Sequence, residues 1–436
     1  MKFYNRDKEL ELLRQTEKKS HTNAQMTIVL GRRRIGKTTL LIESAKNHPH
    51  LYFFISKKNE VLLCEEFVEE IQNKLSINIY GSFKSFRDLF GYLMERSVNQ
   101  PFTLILDEFQ EFYSINPSLY SEMQNIWDRN KQNSHLNLIL CGSVCSMMKK
   151  IFEDAKEPLF GRASQQLSIK PFGIDTQKRI ISDHNPRYSP DDLLLFYIIT
   201  GGIPKYIEVL AENEAFSFHE IIGTVFSENS LFLEEGRNIL IDEFGKEYGN
   251  YFSILSLIAS SKTSRPEIES ILEIQTGGYL DKLEHDFGII SKTKPILAKP
   301  NTRAVKYHIS DNFLNFWFRF IYKYKSAIEI ENLDYVKNIF KRDYNVYSGK
   351  ILERYFTEKL KSEGNYSVIG NYWEKGNKNE IDIVAINDDE KRIELYEIKR
   401  NRTNINLNDL ILRSSNLIKK LPDYTPEYKG LSLDDL

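Results

Sequence analysis

The chain has 436 residues, which suits about three domains, and 28% of them are charged, with a formal net charge of -2. That balance excludes neither nucleic acid nor protein as a partner, because a local basic patch hides in a neutral total. Cys64, Cys141 and Cys145 make no disulfide framework or metal-ligand spacing, the opening MKFYNRDKEL carries no apolar signal region, and no stretch approaches about 18 apolar residues. The expectation is a cytoplasmic protein with reduced thiols and no membrane partner.

In chain order, Met26–Leu30 reads as a buried strand and Thr38–Lys46 as a helix. Between them the run Gly31-Arg32-Arg33-Arg34-Ile35-Gly36-Lys37-Thr38 fits the phosphate-loop pattern G-x-x-x-x-G-K-[ST] at every required position. Glycine lets the backbone curl so that N–H groups point at phosphate oxygens, and the helix N-terminus adds positive dipole at the same spot. Lys37 is expected to reach the β- and γ-phosphates, and the Thr38 hydroxyl to ligate Mg²⁺. The cofactor-binding segment thus runs from Gly31 through Arg32, Arg33, Arg34, Ile35, Gly36, Lys37 and Thr38 to Thr39. The three arginines either steer nucleotide, touch nucleic acid, or lie in solvent.

A second apolar strand, Phe102–Leu106, ends in Asp107-Glu108, a Walker B pattern. Asp107 would hold Mg²⁺, and Glu108 would activate the attacking water. A third strand, Leu136–Cys141, leads into Gly142-Ser143. Ser143 is read either as a sensor of the γ-phosphate or as part of a strand-end turn. Buried thiols are expected of Cys141 and Cys145, in or beside this strand. Arg162, after Gly161, is either an arginine finger spreading over the transferring phosphoryl group or a surface arginine in a glycine turn. Strands alternating with helices argue for a parallel sheet covered on both faces.

Phe3-Tyr4-Asn5-Arg6-Asp7-Lys8-Glu9 resembles the adenine-side box of AAA+ and related signalling ATPases. Gly201-Gly202-Ile203-Pro204-Lys205-Tyr206 resembles the glycine-proline motif of their helical lid. With Leu106–Gln110 and Phe160-Gly161-Arg162, these motifs make the chain similar to the archaeal-type ATPase family, which also occurs in bacteria. The resemblance covers essentially the whole chain. It implies an ATP-binding core, a small helical lid, a winged helix and a C-terminal nuclease-like domain, with Arg6 and Pro204 near the base.

Residues from about 175 to 235 are mainly helical in pattern, with Asp191-Asp192 after Pro190 as a helix start. This segment would close over the nucleotide. Tyr251–Ile258, Arg265–Leu272 and a helix from Thr276 to His285, then strands around Gly288–Lys292 and Ala304–Ile309, make a winged helix-turn-helix. Lys292, Lys294, Lys299, Arg303 and Lys306 give its wing a phosphate-binding character, whereas Asp281, Glu284 and Asp286 on and beside the third helix would repel DNA. The aromatic run Phe313–Tyr324 has helical spacing and is expected to pack as core.

The last hundred or so residues carry a second pattern. Gly349–Leu360 reads as an amphipathic helix bearing Glu353. Asn379–Ile386 is a strand with Asp382 inside an apolar run, and Ile393–Lys399 is a second strand with Glu397 and Lys399 on one face. Asp382 can fall beside them across the hairpin. Asp382 and Glu397 would be the metal-binding carboxylates and Glu353 would complete an all-oxygen Mg²⁺ or Mn²⁺ site, with Lys399 stabilising negative charge. Glu353, Asp382 and Glu397-Ile398-Lys399 resemble the PD-(D/E)XK nuclease superfamily, with Ile381 standing where that pattern has proline.

The expected fold class is α/β. It comprises a P-loop NTPase parallel-sheet core (residues 1–170), a helical lid (171–240), a winged helix-turn-helix (241–320) and an α/β PD-(D/E)XK nuclease-like domain (321–436). The expected function is ATP hydrolysis coupled to a Mg²⁺-dependent DNA nuclease-like domain, with Glu108, Arg162, Glu353, Asp382, Glu397 and Lys399 as catalytic candidates. The competing expectation is an ATP-gated regulator that binds DNA or protein and has an inert C-terminal domain. Partners follow in both cases: ATP, DNA, and a protein partner or a second copy.

Overall fold

The computed structural model describes residues 2–244 and 248–436; the side chains of Cys145 and Asp242 lie outside that description. The chain divides into two compact units, residues 3–171 and Lys2 with residues 172–436.

The first unit is built on five strands: β1 (Gln25–Leu30), β2 (His50–Phe54), β3 (Phe102–Asp107), β4 (Leu136–Gly142) and β5 (Gln165–Ser168). Every pairing is parallel, in the order β2-β3-β4-β1-β5. Parallel neighbours need long crossovers, and helices supply them. Lys37–Ala45 follows β1, Glu60–Leu75 and Phe86–Arg96 follow β2, Leu119–Asn130 follows β3, and Cys145–Glu153 follows β4. Because helices cover both faces, β3 and β4 are buried at every position, which explains their unbroken apolar runs. The Asn59 and Ser85 side chains cap two of the crossover helices by accepting from Val61 N and Asp88 N. Phe53 stacks on Phe67 at 4.1 Å between ring centroids, and Phe86, Phe90, Phe109 and Phe112 are fully buried beneath the crossovers. Removing one such ring would cost on the order of 3–5 kcal/mol.

The second unit begins with helices. In Pro190–Thr200 a capping box pairs Ser189 with Asp192, and proline occupies the first turn. Every residue from Asp192 to Thr200 is buried. The next helix, Pro204–Glu212, follows Gly201 and Gly202, both at positive φ. A Cβ on Gly202 would lie 2.2 Å from the Phe172 carbonyl oxygen, so only glycine fits. Three helices, Tyr248–Ala259, Arg265–Leu272 and Gly277–His285, precede two antiparallel strands, β6 (Ile290–Thr293) and β7 (Lys306–Ile309).

The aromatic run that follows is helical but not uniform. An α-turn over Asn312–Phe316 passes into a π-turn over Trp317–Ile321 and a 3₁₀ turn over Tyr322–Tyr324. Phe313, Phe316, Phe318 and Phe320 are fully buried, and the Trp317 indole donates to the Leu233 carbonyl at 2.9 Å. These rings are core, not a stacking surface.

The segment read as Gly349–Leu360 is the second half of a 31-residue helix, Leu333–Glu363. It leads into a sheet of β8 (Val368–Glu374), β9 (Lys378–Asn387), β10 (Arg392–Lys399) and β11 (Thr425–Ser432), ordered β11-β10-β9-β8. β9 is antiparallel to both neighbours, and the helix Leu407–Ile418 carries the chain from β10 to its parallel partner β11. No helix among the described residues is long and apolar enough to cross a membrane.

Candidate functional site

Two candidate constellations stand out, one in each unit. In the first, β4 lies between β1 and β3, so the phosphate loop after β1 and the acids after β3 flank the end of β4. Gly36 sits at φ 83° as the helix entry, and Arg34 at φ 70°. Gly31 is close-packed: an added Cβ would stand 3.0 Å from Ile35 Cγ2 and 3.1 Å from the Ile169 carbonyl oxygen. Ile35 is buried under the loop, whereas Arg33 and Thr39 are exposed and Arg32 and Arg34 half-buried. Lys37 is buried, and its ammonium donates to the carbonyls of Gly31 at 2.6 Å and Arg32 at 3.0 Å. The cation therefore lies across its own loop.

The Thr38 hydroxyl donates to Asp107 Oδ2 at 2.8 Å. The same oxygen accepts the Tyr52 hydroxyl at 2.7 Å, and Asp107 Oδ1 accepts the Glu108 N–H at 3.0 Å. Burial, then the hydrogen bond to Asp107, push the Tyr52 phenol well above its ordinary pKa. Glu108 is held at φ 56°. Its Oε2 accepts from the Ser143 hydroxyl at 2.7 Å, the Ser143 N–H at 3.2 Å and the Gln110 amide at 2.5 Å. Gly142 makes room for this arrangement, since a Cβ there would lie 2.3 Å from Gln110 Oε1 and 2.6 Å from Met148. Hydroxyl and carboxylate oxygens converging beside a phosphate loop are donors of the type that Mg²⁺ takes, so Thr38 and Asp107 fit that ion.

The remaining candidates are placed as follows. The buried Arg6 guanidinium donates to Glu9 at 3.1 Å and to the Lys170 carbonyl at 2.8 Å, and burial lowers its pKa. Arg162 donates to Asp128 at 2.8 and 3.2 Å and to the carbonyls of Pro158 and Phe160 at 2.7 and 3.0 Å. Each of its nitrogens thus has a protein partner. Pro204 opens its helix in the other unit. Cys141 is buried with its thiol pKa raised by burial; the side chain of Cys145 lies outside the described residues.

In the second unit, Tyr396 pairs with Ile383 in the β9–β10 ladder, which sets Asp382 opposite Glu397. Asp382 Oδ2 accepts the Ile398 N–H at 2.8 Å. The Lys399 ammonium stands 3.5 Å from Asp382 Oδ2 and 3.4 Å from Glu397 Oε1. Arg413, on the helix Leu407–Ile418, donates to Glu397 Oε1 at 3.1 Å, and the Asn406 N–H donates to Glu397 Oε2 at 3.0 Å. Burial and the Asp382 charge raise the pKa of Glu353; burial also raises that of Asp382, against the Ile398 N–H and Lys399. A cleft of about 740 Å³ opens beside Glu353, Lys399, Lys350 and Arg400.

Of the expected metal-binding set Glu353, Asp382 and Glu397, the last is already engaged by protein cations. Lys399 and Arg413 neutralise Glu397, and among the described residues no group of three or more His, Cys, Asp or Glu side chains is placed to hold a metal ion. In the hairpin region, Lys292, Lys294, Lys299 and Arg303 are exposed, while Lys306 pairs with Glu380 at 2.7 Å and lies over the Trp373 ring. Asp281 and Asp286 are exposed and Glu284 is half-buried.

Tyr52, Gln110 and Arg413 were not singled out by the sequence. Tyr52 and Arg413 reach the acids through a neighbouring strand and a crossover helix, which no linear spacing records. Gln110 closes the Leu106–Gln110 motif but was given no role of its own.

Residues 3–210 match a family described as an ATPase domain predominantly from Archaea, and residues 317–410 match a family of archaeal and bacterial proteins of unknown function. An uncharacterised protein of Methanocaldococcus jannaschii is 28% identical over 406 residues, covering 91% of this chain and 87% of that protein. The fold is similar to that of the Walker-type ATPase paby2304 of Pyrococcus abyssi, with a TM-score of 0.54 and 19% identity over 72% of this chain and 96% of that one. The family match and the loop geometry support an ATPase-type P-loop domain over residues 3–210, and the structural likeness supports its fold.

Proposed function

We propose that this chain is an ATP-driven switch whose nucleotide site is the Lys37/Thr38/Asp107/Glu108 constellation. The observation that carries the reading is the 2.8 Å hydrogen bond from Thr38 to Asp107, which joins the phosphate loop to the acid end of β3. Lys37 leaves the Gly31 and Arg32 carbonyls to bind β- and γ-phosphate oxygens. Mg²⁺, when bound, neutralises charge on those phosphates. Thr38 and Asp107 would hold it, and Glu108 would take a proton from water once its carboxylate parts from Ser143. Arg162 acts on the phosphoryl group only after leaving Asp128. The test is binding of a fluorescent ATP analogue together with phosphate release. Lys37→Ala should weaken the first and abolish the second; unchanged hydrolysis in that variant would remove the assignment.

A second module rests on Asp382 facing Glu397 with Lys399 between them. We read it as a nuclease-like site for a DNA phosphodiester, supported by the cations Lys350, Lys399 and Arg400 along the cleft. The three helices and hairpin of residues 248–309 form a winged-helix element beside it in sequence. The engagement of Glu397 by two cations favours the alternative, an ATP-gated DNA- or protein-binding regulator with an inert C-terminal domain. Linear, nicked and branched DNA incubated with Mg²⁺ or Mn²⁺, with and without ATP, separates the two. Cleavage lost in Asp382→Ala and Lys399→Ala supports the nuclease; no cleavage of any substrate supports the regulator.

A further inference from the structure

We propose that Tyr52 is a positioning residue of the nucleotide site, fixing the Asp107 carboxylate and so setting the Mg²⁺ dependence of nucleotide binding. The inference rests on the reading of Thr38 and Asp107 as the Mg²⁺-bearing pair. β2 and β3 run in parallel with Tyr52 opposite Ile105 and Phe54 opposite Asp107. Residues two apart on a strand share a face, so Tyr52 and Asp107 lie on the same side of neighbouring strands. The phenol leans along that face to reach the carboxylate at 2.7 Å.

Asp107 is then held by Thr38 and Tyr52 on Oδ2 and by its neighbour's N–H on Oδ1. Thr38 has two duties, because its oxygen also turns to the metal. Tyr52 has one, and it keeps Oδ2 in place while Thr38 ligates. The phenol is half-buried and donates its hydroxyl to the carboxylate. Loss of a hydrogen bond to a charged acceptor is enough to shift an apparent metal affinity by about tenfold.

The experiment titrates Mg²⁺ against binding of a fluorescent ADP analogue, with parallel measurements in EDTA and with bound Mn²⁺ counted by electron paramagnetic resonance. Tyr52→Phe keeps the ring and its packing. The expected result is unchanged nucleotide affinity in EDTA, a half-saturating Mg²⁺ concentration raised about tenfold, and weaker Mn²⁺ binding. An unchanged Mg²⁺ requirement overturns the proposal. So does an equal loss of affinity in EDTA, which marks a structural role. Asp107→Ala is the control. If it leaves the Mg²⁺ dependence intact, the reading of the metal pair has failed; if it abolishes that dependence while Tyr52→Phe behaves as wild type, Tyr52 alone is refuted.

Discussion

Arg400 and Asp191 stand 209 residues apart in sequence and form an ion pair in which one guanidinium nitrogen meets both carboxylate oxygens, at 2.7 and 3.0 Å. Arg400 also donates to Ser348 at 2.7 Å and lies over the Tyr344 ring, and the Tyr344 hydroxyl donates to Asp191 at 3.0 Å. The pair ties the start of the helix Pro190–Thr200 to the residue that follows Lys399.

Arg400 is largely buried while the Asp191 side chain is 37% exposed, so Arg400→Ala is expected to destabilise the second unit by about 1 kcal/mol, at the upper end for a partly exposed pair. Asp191→Ala should cost a similar amount. The double variant should cost less than the sum, because the two side chains act on each other. Chemical denaturation of the four proteins measures the coupling, and strict additivity would show that the pair contributes nothing.

Glu108→Gln keeps the shape of the side chain but removes a base. Nucleotide binding should persist, while hydrolysis falls by about 100-fold or more. Filter binding and single-turnover phosphate release separate the two effects. A variant that still hydrolyses at the wild-type rate would exclude Glu108 as the base.

Gly142→Ala drives a methyl group into Gln110 and Met148. The expected cost is about 1–3 kcal/mol from overpacking, seen as a lower unfolding midpoint of the first unit. Hydrolysis should fall as well, since Gln110 holds Glu108. Retained stability with retained hydrolysis would mean that the strand end yields freely.

His308 gives a pH signature. Burial first, then Arg354, Lys306 and Lys350, lower its pKa to about 4 in the folded protein; on its buried side the ring meets Thr293. The unfolded chain, with the ordinary value near 6.5, binds the proton first, so stability rises with pH between about 4 and 6.5 and is lost as pH falls through that window. The loss is at most about 3 kcal/mol. His308→Gln should flatten this slope relative to wild type in urea melts at pH 7, 6 and 5. An unchanged slope would show that His308 is not the titrating group.

The phosphate loop, the acid pair and the hairpin acids were legible because each is local: contiguous residues at a spacing that backbone geometry dictates. The helix Arg265–Leu272 appears with the bounds its proline start and apolar spacing suggest. β2 and β5 were not singled out. β5, Gln165–Ser168, buries one residue in four positions and carries no pattern to find. The first half of Leu333–Glu363 was missed for a related reason, since its apolar positions are interleaved with charges and tyrosines that bury only in tertiary contact. The hairpin acids Asp382 and Glu397 were legible, but the cationic neighbour of Glu397, Arg413, arrives from a helix that the hairpin sequence does not mention.

The helix Pro190–Thr200 shows no solvent on any side from Asp192 onward. From Leu193 to Thr200 it has no tolerant position: a lysine or glutamate introduced there would have nowhere to place its charge. It also cannot turn about its own axis without dislodging every neighbour at once. Any displacement of this helix must therefore carry its surroundings along as a block.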